Sequence, residues 1–209
     1  MRIIEIFHSI QGEGPWTGVR TSFVRTAGCN LRCTWCDTPY SFGPGTERSL
    51  PSILSEVAGH GTRHVCLTGG EPLLQPEGPA LVRSLSEQGY TVVVETGGSL
   101  DIRPYQTAAT VHVSLDVKLP SSGMQDRMFE ENWGYLRKED VVKMVILDRT
   151  DYEAAKLFLG RHPVPCEVVF QPVWGTSPGR LADWVLADGL DVRVMLQEHK
   201  VLWGDVPGR

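Results

Sequence analysis

Short apolar segments rich in β-branched residues recur along this chain, and each ends in a glycine-rich or polar turn. This pattern predicts strands at 21–28, 64–69, 91–96, 110–116, 141–148, 166–171 and 191–197. The opening segment IIEIFHSI predicts one more strand. Between them, segments with apolar residues at i, i+3 and i+4 predict helices at 50–59, 78–88, 151–162 and 178–188.

Alternating strands and helices predict an α/β fold whose sheet is mostly parallel and is closed or partly closed as a barrel. The connections at 97–109 and 119–140 have only weak helical patterns, so we expect some crossovers to be loops and the helices to be few. A chain of 209 residues with 41% hydrophobic residues is large enough for one core of ordinary size. We therefore expect a single domain over residues 1–209.

Charge and hydropathy limit the partners of this domain. Twenty Lys and Arg against twenty-five Asp and Glu leave a net charge of −5, which disfavours attraction to a nucleic-acid backbone. The chain has no basic leader with a cleavage site and no apolar run near the ~20 residues that span a bilayer. We expect a cytoplasmic protein that binds neither nucleic acid nor membrane.

Chemically distinctive segments follow the predicted core strands directly. The segment AGCNLRCTWCDT follows the first of them, TGGEP the second, ETGGS the third, DVKLPSS the fourth and QPVWG the sixth. The carboxyl ends of parallel strands meet on one face of such a fold, where their loops form the site. The sequence therefore predicts that these five segments surround one functional site.

Cys29, Cys33 and Cys36 have the spacing CxxxCxxC. Five cysteines in a chain without an export signal disfavour a disulfide framework and favour a metal or redox centre. Three thiolates suit a [4Fe–4S] cluster whose fourth iron is left open. A structural zinc site is the alternative, but it needs four ligands and the paired spacing is missing. Cys66 and Cys166 lie within strands and are interpreted as buried hydrophobic residues.

The CxxxCxxC segment, with Trp35 before its last cysteine, and the segment TGGEP at 68–72 together resemble the signature of radical S-adenosylmethionine enzymes. In that superfamily the open iron chelates the amino and carboxylate groups of S-adenosylmethionine, which an electron from the cluster cleaves to a 5′-deoxyadenosyl radical. The resemblance implies that Gly70 and Glu71 hold the methionyl amine. Paired glycines allow a backbone to approach a ligand closely, and a carboxylate suits an ammonium group.

Further segments resemble the 7-carboxy-7-deazaguanine synthase family over nearly the whole chain: FHSIQGEGPWTG, SFVRTAGCNLRC, CDTPYSF, TGGEPLLQ, VVVETGGS and QEHKVLWG. Members of that family convert 6-carboxy-5,6,7,8-tetrahydropterin to 7-carboxy-7-deazaguanine with loss of ammonia, on the route to queuosine-type nucleosides. The resemblance implies a truncated (β/α) barrel with few helices, a homodimer, a requirement for Mg²⁺ and an electron donor such as flavodoxin or ferredoxin.

The same resemblance implies roles for individual residues. The pterin substrate would be bound by Ile10, Gln11, Gly12, Arg25, Thr68, Glu95 and His199, of which Arg25, Glu95 and His199 are the expected catalytic residues. Thr38 would be the Mg²⁺ ligand. S-adenosylmethionine would be bound by Gly70, Glu71, Asp116, Val117, Lys118, Gln171, Pro172, Val173 and Trp174. The stretch 116–118 reads Asp-Val-Lys where the family leads us to expect Ser-Pro-Lys.

Plainer interpretations stay open for several of these residues. Asp37 and Thr38 precede Pro39 and could begin a turn, while Arg25 and Glu95 could be surface charges at strand ends. His199 could be a structural residue near a strand end. For the whole chain the alternatives are a glycyl-radical activase, an iron–sulfur electron carrier and a zinc-stabilised binding domain.

Overall fold

The computed structural model describes residues 1–208, and its strands form one sheet. The strands are β1 (Arg2–Ile10), β2 (Arg20–Thr26), β3 (Thr46–Glu47), β4 (His64–Gly69), β5 (Thr91–Thr96), β6 (Val111–Val117), β7 (Val141–Ile146), β8 (Glu167–Pro172) and β9 (Arg193–Val194). The helices are α1 (Leu50–Gly59), α2 (Gly78–Glu87), α3 (Arg149–Arg161), α4 (Pro178–Asp188) and α5 (Glu198–Trp203).

The sheet order is β3-β1-β2-β4-β5-β6-β7-β8-β9, so the sheet is open, with β3 and β9 at its edges. Every pair from β2 to β9 is parallel, and only the two pairs that involve β1 are antiparallel. The prediction of an α/β fold with a mostly parallel, incompletely closed sheet is confirmed. The connections after β5 and β6 contain only short 3₁₀ helices, at Arg103–Tyr105, Pro120–Ser122, Gln125–Arg127 and Glu130–Gly134, as the weak patterns indicated.

Helices cover the outer face of the sheet and bury two apolar clusters against it. Ile53 and Val57 of α1 and Leu81 and Leu85 of α2 pack with the outward side chains of β2, β4 and β5. The second cluster joins α3 and α4 to β6, β7 and β8. Two of the helices begin at a capping side chain: the Ser49 hydroxyl accepts from the N–H of Ser52, the third residue of α1, and the Asp148 carboxylate accepts from the N–H of Asp151 in α3.

The predicted strand at 191–197 is wrong in its second half. Only Arg193 and Val194 pair with β8 in the ladder, and α5 begins at Glu198. The peptide N–H of Met195 still donates to the Phe170 carbonyl, but the chain then turns inward: Met195 packs against Val141 and Val169, and the buried Gln197 donates to Glu13 and Asp37. The segment QEHK therefore opens a helix rather than ending a strand. Within residues 1–208, every helix is too short or too polar to span a bilayer.

The loop after β4 is fixed by one buried hydroxyl. Tyr105 donates from its hydroxyl to the carbonyl oxygens of Pro72 at 2.9 Å and Gln75 at 3.2 Å. A Cβ at Gly78, the first residue of α2, would lie 2.1 Å from that hydroxyl oxygen, so only glycine fits there. This contact ties the 3₁₀ turn after the TGGE segment to the connection after β5.

We predict that Tyr105→Phe lowers the free energy of unfolding by about 1 kcal/mol, because both carbonyls keep a second, backbone donor. Urea unfolding followed by circular dichroism measures this. Tyr90→Phe is the matched control, since among residues 1–208 no side-chain hydrogen bond is found for that hydroxyl. Equal stability of the Tyr105→Phe variant and the parent protein would contradict the prediction.

Candidate active site

A cavity of about 640 Å³ opens at the carboxyl ends of the parallel strands. Its floor is an apolar layer in register across four strands: Phe7 faces Phe23, Phe23 faces Cys66, and Cys66 faces Val93. The rings of Phe7 and Phe23 stack with centroids 4.9 Å apart. Burial in this layer raises the pKa of the Cys66 thiol well above its usual value, which confirms Cys66 as a buried hydrophobic residue.

A polar layer lies directly above this floor. Because strand side chains alternate between faces, the residues two positions beyond Phe23, Cys66 and Val93 face the cavity. These residues are Arg25, Thr68 and Glu95, and all three line it. The predicted site at the strand ends therefore exists, and neither Arg25 nor Glu95 is a free surface charge.

Gln11, Thr68 and Glu95 form one hydrogen-bonded group. The Gln11 amide donates to Glu95 Oε1 at 3.2 Å, and the Thr68 hydroxyl donates to Glu95 Oε2 at 3.0 Å. The structure thus brings together three of the residues predicted to bind the substrate. Ile10 and Gly12 also line the cavity.

Arg25 lies at the side of the cavity between two aromatic rings. Its guanidinium carbon is 5.9 Å from the Phe7 ring centroid and 5.8 Å from that of Tyr40. Its Nε donates to Glu5 Oε1 at 2.7 Å. Burial opposes the charge, but nearby Tyr40 and Glu5 outweigh it and raise the pKa of Arg25. Since a guanidinium has five N–H donors, the two terminal nitrogens stay available for a ligand.

The three cysteines of the CxxxCxxC segment are half-buried free thiols, and all line the cavity. Burial raises the pKa of Cys29 and Cys33, and the nearby Cys36 thiol raises both further. Gly70 permits this arrangement, because a Cβ there would lie 2.2 Å from the Gly28 carbonyl oxygen. Three accessible thiols on one loop fit a [4Fe–4S] cluster with an open iron.

No group of three His, Cys, Asp or Glu side chains within residues 1–208 is arranged around a single metal ion. A structural zinc would need four such ligands at about 2.0–2.3 Å. Of the two other cysteines, Cys66 is in the cavity floor, and Cys166 lines a separate depression with Leu159 and Val192.

The Glu71 carboxylate is fully buried in this structure and does not line the cavity. It accepts hydrogen bonds from the Leu73 N–H at 3.0 Å, the Thr96 hydroxyl at 2.8 Å and the Gly97 N–H at 2.8 Å. Burial raises its pKa even though these donors oppose the shift. In this structure Glu71 joins the ends of β4 and β5, and Gly70 forms the adjacent cavity wall.

The remaining residues predicted to bind S-adenosylmethionine form two groups, according to whether they line the cavity or are buried without lining it. Asp116, Lys118, Gln171, Val173 and Trp174 line the cavity. In contrast, Val117 packs into the outer apolar cluster, and Pro172 is buried and does not line the cavity, so any contact of these two with S-adenosylmethionine would have to come from backbone atoms. The Gln171 Oε1 atom is buried and has no hydrogen-bond partner among residues 1–208. An acceptor held in this way fits a cavity that binds a polar ligand.

A line of alternating charges runs along the far wall of the cavity. Lys118 Nζ is 2.8 Å from Asp116 Oδ2, Lys143 Nζ is 3.2 Å from Asp116 Oδ1, and Lys143 Nζ is 2.6 Å from Glu13 Oε2. Burial would neutralise each lysine, but the carboxylates outweigh it and raise the pKa of both. The four side chains are therefore charged together and cancel one another.

His199 lies in the first turn of α5, directly against the loop after β1. A Cβ on Gly12 would lie 2.0 Å from His199 Nδ1, so this contact requires glycine at residue 12. The Gly12 carbonyl also accepts from the Glu198 N–H at 3.0 Å. His199 lines the cavity as predicted, although from a helix and not from a strand end.

Sequence reasoning missed several polar residues of the cavity wall, among them Glu13, Asp37, Lys143, Gln197 and Lys200. One signal was available, because Lys143 interrupts the otherwise apolar strand VVKMVI at a position that faces the cavity. Glu13 and Lys200 lie within the family-like segments IQGEG and QEHK, whose resemblance does not by itself assign a role to each residue. Their ion-pair partners are distant in sequence, and pairing of that kind has no local signal.

Comparisons with known proteins agree with this geometry. A profile of the Radical SAM superfamily matches residues 23–144. The 7-carboxy-7-deazaguanine synthase of Thermoplasma acidophilum is 45% identical over the full length of both chains. That of Chlorobaculum tepidum is 38% identical over 97% of this chain and 94% of the relative. The chain belongs to the 7-carboxy-7-deazaguanine synthase family.

Solved structures agree with membership of the 7-carboxy-7-deazaguanine synthase family. QueE from Escherichia coli superimposes with a TM-score of 0.76 at 25% identity, over 95% of this chain and 94% of that one. SuiB from Streptococcus suis shares the fold alone, with a TM-score of 0.62 at 10% identity over 83% of this chain and 47% of that one. The chain is a radical S-adenosylmethionine enzyme and a lyase, whose cofactors are a [4Fe–4S] cluster, S-adenosylmethionine and Mg²⁺.

We predict that the reconstituted protein binds about four irons and that Cys29→Ala, Cys33→Ala and Cys36→Ala each abolish this. Iron and sulfide analysis, with the reduced EPR signal in the presence and absence of S-adenosylmethionine, measures the effect. Cys66→Ala and Cys166→Ala are the controls and should retain the cluster. Loss of the cluster in either control would contradict the ligand assignment.

We predict that Lys143→Met lowers the free energy of unfolding by about 3 kcal/mol at neutral pH, because it leaves Glu13 buried beside Asp37 without a cation. Burial and the nearby Asp37 would raise the pKa of Glu13, but Lys143, together with the hydrogen bond from Gln197, at present lowers it. In the variant the folded pKa therefore exceeds the unfolded value near 4.5. Since a raised carboxyl pKa removes stability as the pH rises, the deficit should grow from about pH 4 to about pH 7.

Thermal unfolding at several pH values measures this difference. Arg193→Met is the matched control, since it removes an exposed ion pair with Glu167 of the same 2.6 Å length. That variant should lose less than about 1 kcal/mol. A deficit in Lys143→Met that is constant or shrinks with rising pH would contradict the prediction.

Proposed function

We propose that this chain converts 6-carboxy-5,6,7,8-tetrahydropterin to 7-carboxy-7-deazaguanine with loss of ammonia, in the biosynthesis of queuosine-type 7-deazapurines. One observation carries the proposal: the Gln11, Thr68 and Glu95 group, Arg25 and the three cluster thiols line the same cavity. Such a cavity offers polar side chains that can hydrogen-bond a heterocycle, a cation that can bind a carboxylate, and the cysteine ligands of a radical-generating cofactor.

The ring of the substrate would be recognised by the group around Glu95. A pterin presents adjacent N–H donors and carbonyl or ring-nitrogen acceptors along one edge. The Glu95 carboxylate accepts such donors, while the Gln11 amide and the Thr68 hydroxyl both donate and accept. Because these side chains already hydrogen-bond to one another, they are held in position before the substrate arrives.

The substrate carboxylate would be bound by Arg25. Its Nε is fixed by Glu5, which leaves the two terminal nitrogens to bind a carboxylate in a bidentate manner. The rings of Phe7 and Tyr40 limit the movement of the guanidinium. A carboxylate held there would place the adjacent C6 atom in a fixed orientation, which gives a hydrogen abstraction its selectivity. His199, on the opposite loop, would be a further substrate contact.

Thr38 would be the protein ligand of Mg²⁺. Thr38 lines the cavity, and its hydroxyl donates its proton to Asp37 Oδ1 at 2.8 Å, so the oxygen lone pairs are free for a hard cation. Asp37 and Thr38 also begin a turn, since Ser41 donates to the Thr38 carbonyl. The turn and the metal site are therefore compatible interpretations of the same segment. The cation would offset the charge of the substrate carboxylate.

Cys29, Cys33 and Cys36 would hold the cluster, and the backbone at Gly70 with Asp116, Lys118, Gln171, Val173 and Trp174 would surround S-adenosylmethionine. When bound, these two cofactors supply the carbon radical that abstracts a substrate hydrogen. Lys118 lies 5.4 Å from the Trp35 ring centroid, between the cluster loop and Asp116, and would keep the negatively charged thiolates near a cation.

The proposed enzyme is a cytoplasmic, single-domain homodimer that acts on a small molecule and takes its electron from a flavodoxin or ferredoxin. The negative charge of the chain supports the absence of a nucleic-acid partner. Anaerobic turnover with 6-carboxytetrahydropterin, S-adenosylmethionine and a reductant, followed by mass spectrometry, tests the function. Formation of 7-carboxy-7-deazaguanine with ammonia supports it. Cleavage of S-adenosylmethionine with no product from this pterin would contradict it and favour the activase.

We predict that Thr38→Val raises the Mg²⁺ concentration needed for half-maximal turnover by about tenfold, equal to about 1.4 kcal/mol. The variant keeps the shape of the side chain but loses the ligand oxygen, while cluster content and cleavage of S-adenosylmethionine stay near the parent values. Thr38→Ser keeps the oxygen and is the control. An unchanged magnesium dependence in Thr38→Val would rule the site out.

We predict that Arg25→Ala raises KM for the pterin about 30-fold, equal to about 2 kcal/mol for a charge-assisted contact. It should also raise the ratio of 5′-deoxyadenosine to product, since the substrate is no longer held for abstraction. Arg20→Ala is the matched control, because Arg20 starts the same strand and donates to Gly61 O at the opposite end. A KM change in Arg20→Ala as large as that in Arg25→Ala would contradict the assignment.

A further inference from the structure

Both oxygens of the Asp37 carboxylate are bound by other side chains. Its Oδ1 accepts from the Thr38 hydroxyl at 2.8 Å, and its Oδ2 accepts from Lys200 Nζ at 2.8 Å and from the Gln197 amide at 3.1 Å. Asp37 therefore connects the cluster loop to the segment that contains α5. A carboxylate would ordinarily be a better Mg²⁺ ligand than a hydroxyl, yet here it is already engaged by a cation and an amide.

Lys200 is held in place independently of Asp37. Its side chain is only 5% exposed, and its helix is fixed to the loop after β1 by the Glu198 N–H on the Gly12 carbonyl. The Gln197 amide also donates to Glu13 Oε1 at 2.8 Å. A second anion, Asp205, lies 3.3 Å from Lys200 but is 62% exposed, so screening by water makes it the weaker partner.

These contacts determine the orientation of the Thr38 hydroxyl. With Asp37 immobilised by Lys200 and Gln197, the single Thr38 proton points to Asp37 Oδ1 and the oxygen lone pairs are left for a cation. Groups that bind a metal ligand in this way orient it, and their loss typically lowers metal affinity by about 10- to 100-fold. The arrangement also keeps Asp37 from replacing Thr38 as a direct ligand.

We propose that Lys200 is a positioning residue for the magnesium site, which acts through Asp37 on the hydroxyl of Thr38. The proposal rests on the proposed function, because it takes Thr38 as the Mg²⁺ ligand. It gives the C-terminal helix a role in catalysis without contact between Lys200 and the metal. The same residue would couple the loop after β1, which carries Gln11 and Glu13, to the cluster loop.

Mg²⁺ binding to the cluster-loaded enzyme with the pterin present and the reductant omitted tests this proposal without turnover. Titration calorimetry would give the dissociation constant for the parent protein, Lys200→Met, Lys200→Arg and Thr38→Val. We expect Lys200→Met to weaken Mg²⁺ binding by about 10-fold or more, and Lys200→Arg to recover part of the loss because it keeps the charge. Cluster absorbance and thermal unfolding check that each variant is folded and loaded.

Lys156→Met is the control, since it removes a partly exposed ion pair with Asp188 of similar length, 2.6 Å, and neither residue lines the cavity. Its Mg²⁺ affinity should equal that of the parent. The double variant Thr38→Val, Lys200→Met should bind Mg²⁺ no more weakly than Thr38→Val alone, because Lys200 acts only through Thr38. Additive losses in the double variant would overturn the proposal.

The outcomes separate the two proposals. Weaker Mg²⁺ binding in Thr38→Val with unchanged binding in Lys200→Met would overturn the role of Lys200 and leave the magnesium ligand in place. Unchanged binding in Thr38→Val would overturn both. Should Lys200→Met fail to fold, Asp37→Asn removes the same link from the other side. Its Mg²⁺ affinity should fall about 10-fold or more, and unchanged affinity would overturn the proposal.

Discussion

The register of the parallel strands is the constraint on which the site depends. Because Phe23, Cys66 and Val93 face one another across β2, β4 and β5, the residues two positions further along form a second layer above them. A slip of one residue in any of these strands would turn Arg25, Thr68 or Glu95 toward the helices. The apolar clusters beneath α1 and α2 oppose such a slip, so the packing of the outer face positions the polar groups of the inner face.

Charge balance explains how so many ionised groups lie in one cavity. Lys118, Asp116, Lys143 and Glu13 alternate in sign, and Asp37 with Lys200 continues the pattern on the cluster loop. Breaking such a set leaves a buried charge unpaired, which costs more than the intact pair contributes. The network also joins five separate parts of the chain: the end of β6, β7, the loop after β1, the cluster loop and α5. The same ion pairs therefore close the cavity wall and hold the ligand-binding residues in position.

Sequence reasoning predicted the fold and most of the cavity lining, because both have local patterns. Apolar periodicity located the core strands and four of the five helices, and CxxxCxxC and TGGEP marked the cluster loop and the end of β4. It failed where position depends on distant contacts. The Glu71 carboxylate is enclosed by donors at the end of β5, and the Gly12 carbonyl accepts a hydrogen bond from the N–H of Glu198, the first residue of α5. None of these contacts is visible within a short window of sequence.

The central claim is that Arg25 and the Mg²⁺ ligand Thr38 hold the substrate carboxylate so that the neighbouring C6 hydrogen faces the radical. Turnover of substrate that carries deuterium at C6 tests this most directly, with S-adenosylmethionine recovered and analysed by mass spectrometry. The account predicts deuterium in the recovered S-adenosylmethionine and many product molecules for each S-adenosylmethionine destroyed. One-to-one consumption of S-adenosylmethionine, with no deuterium returned to it, would contradict the account.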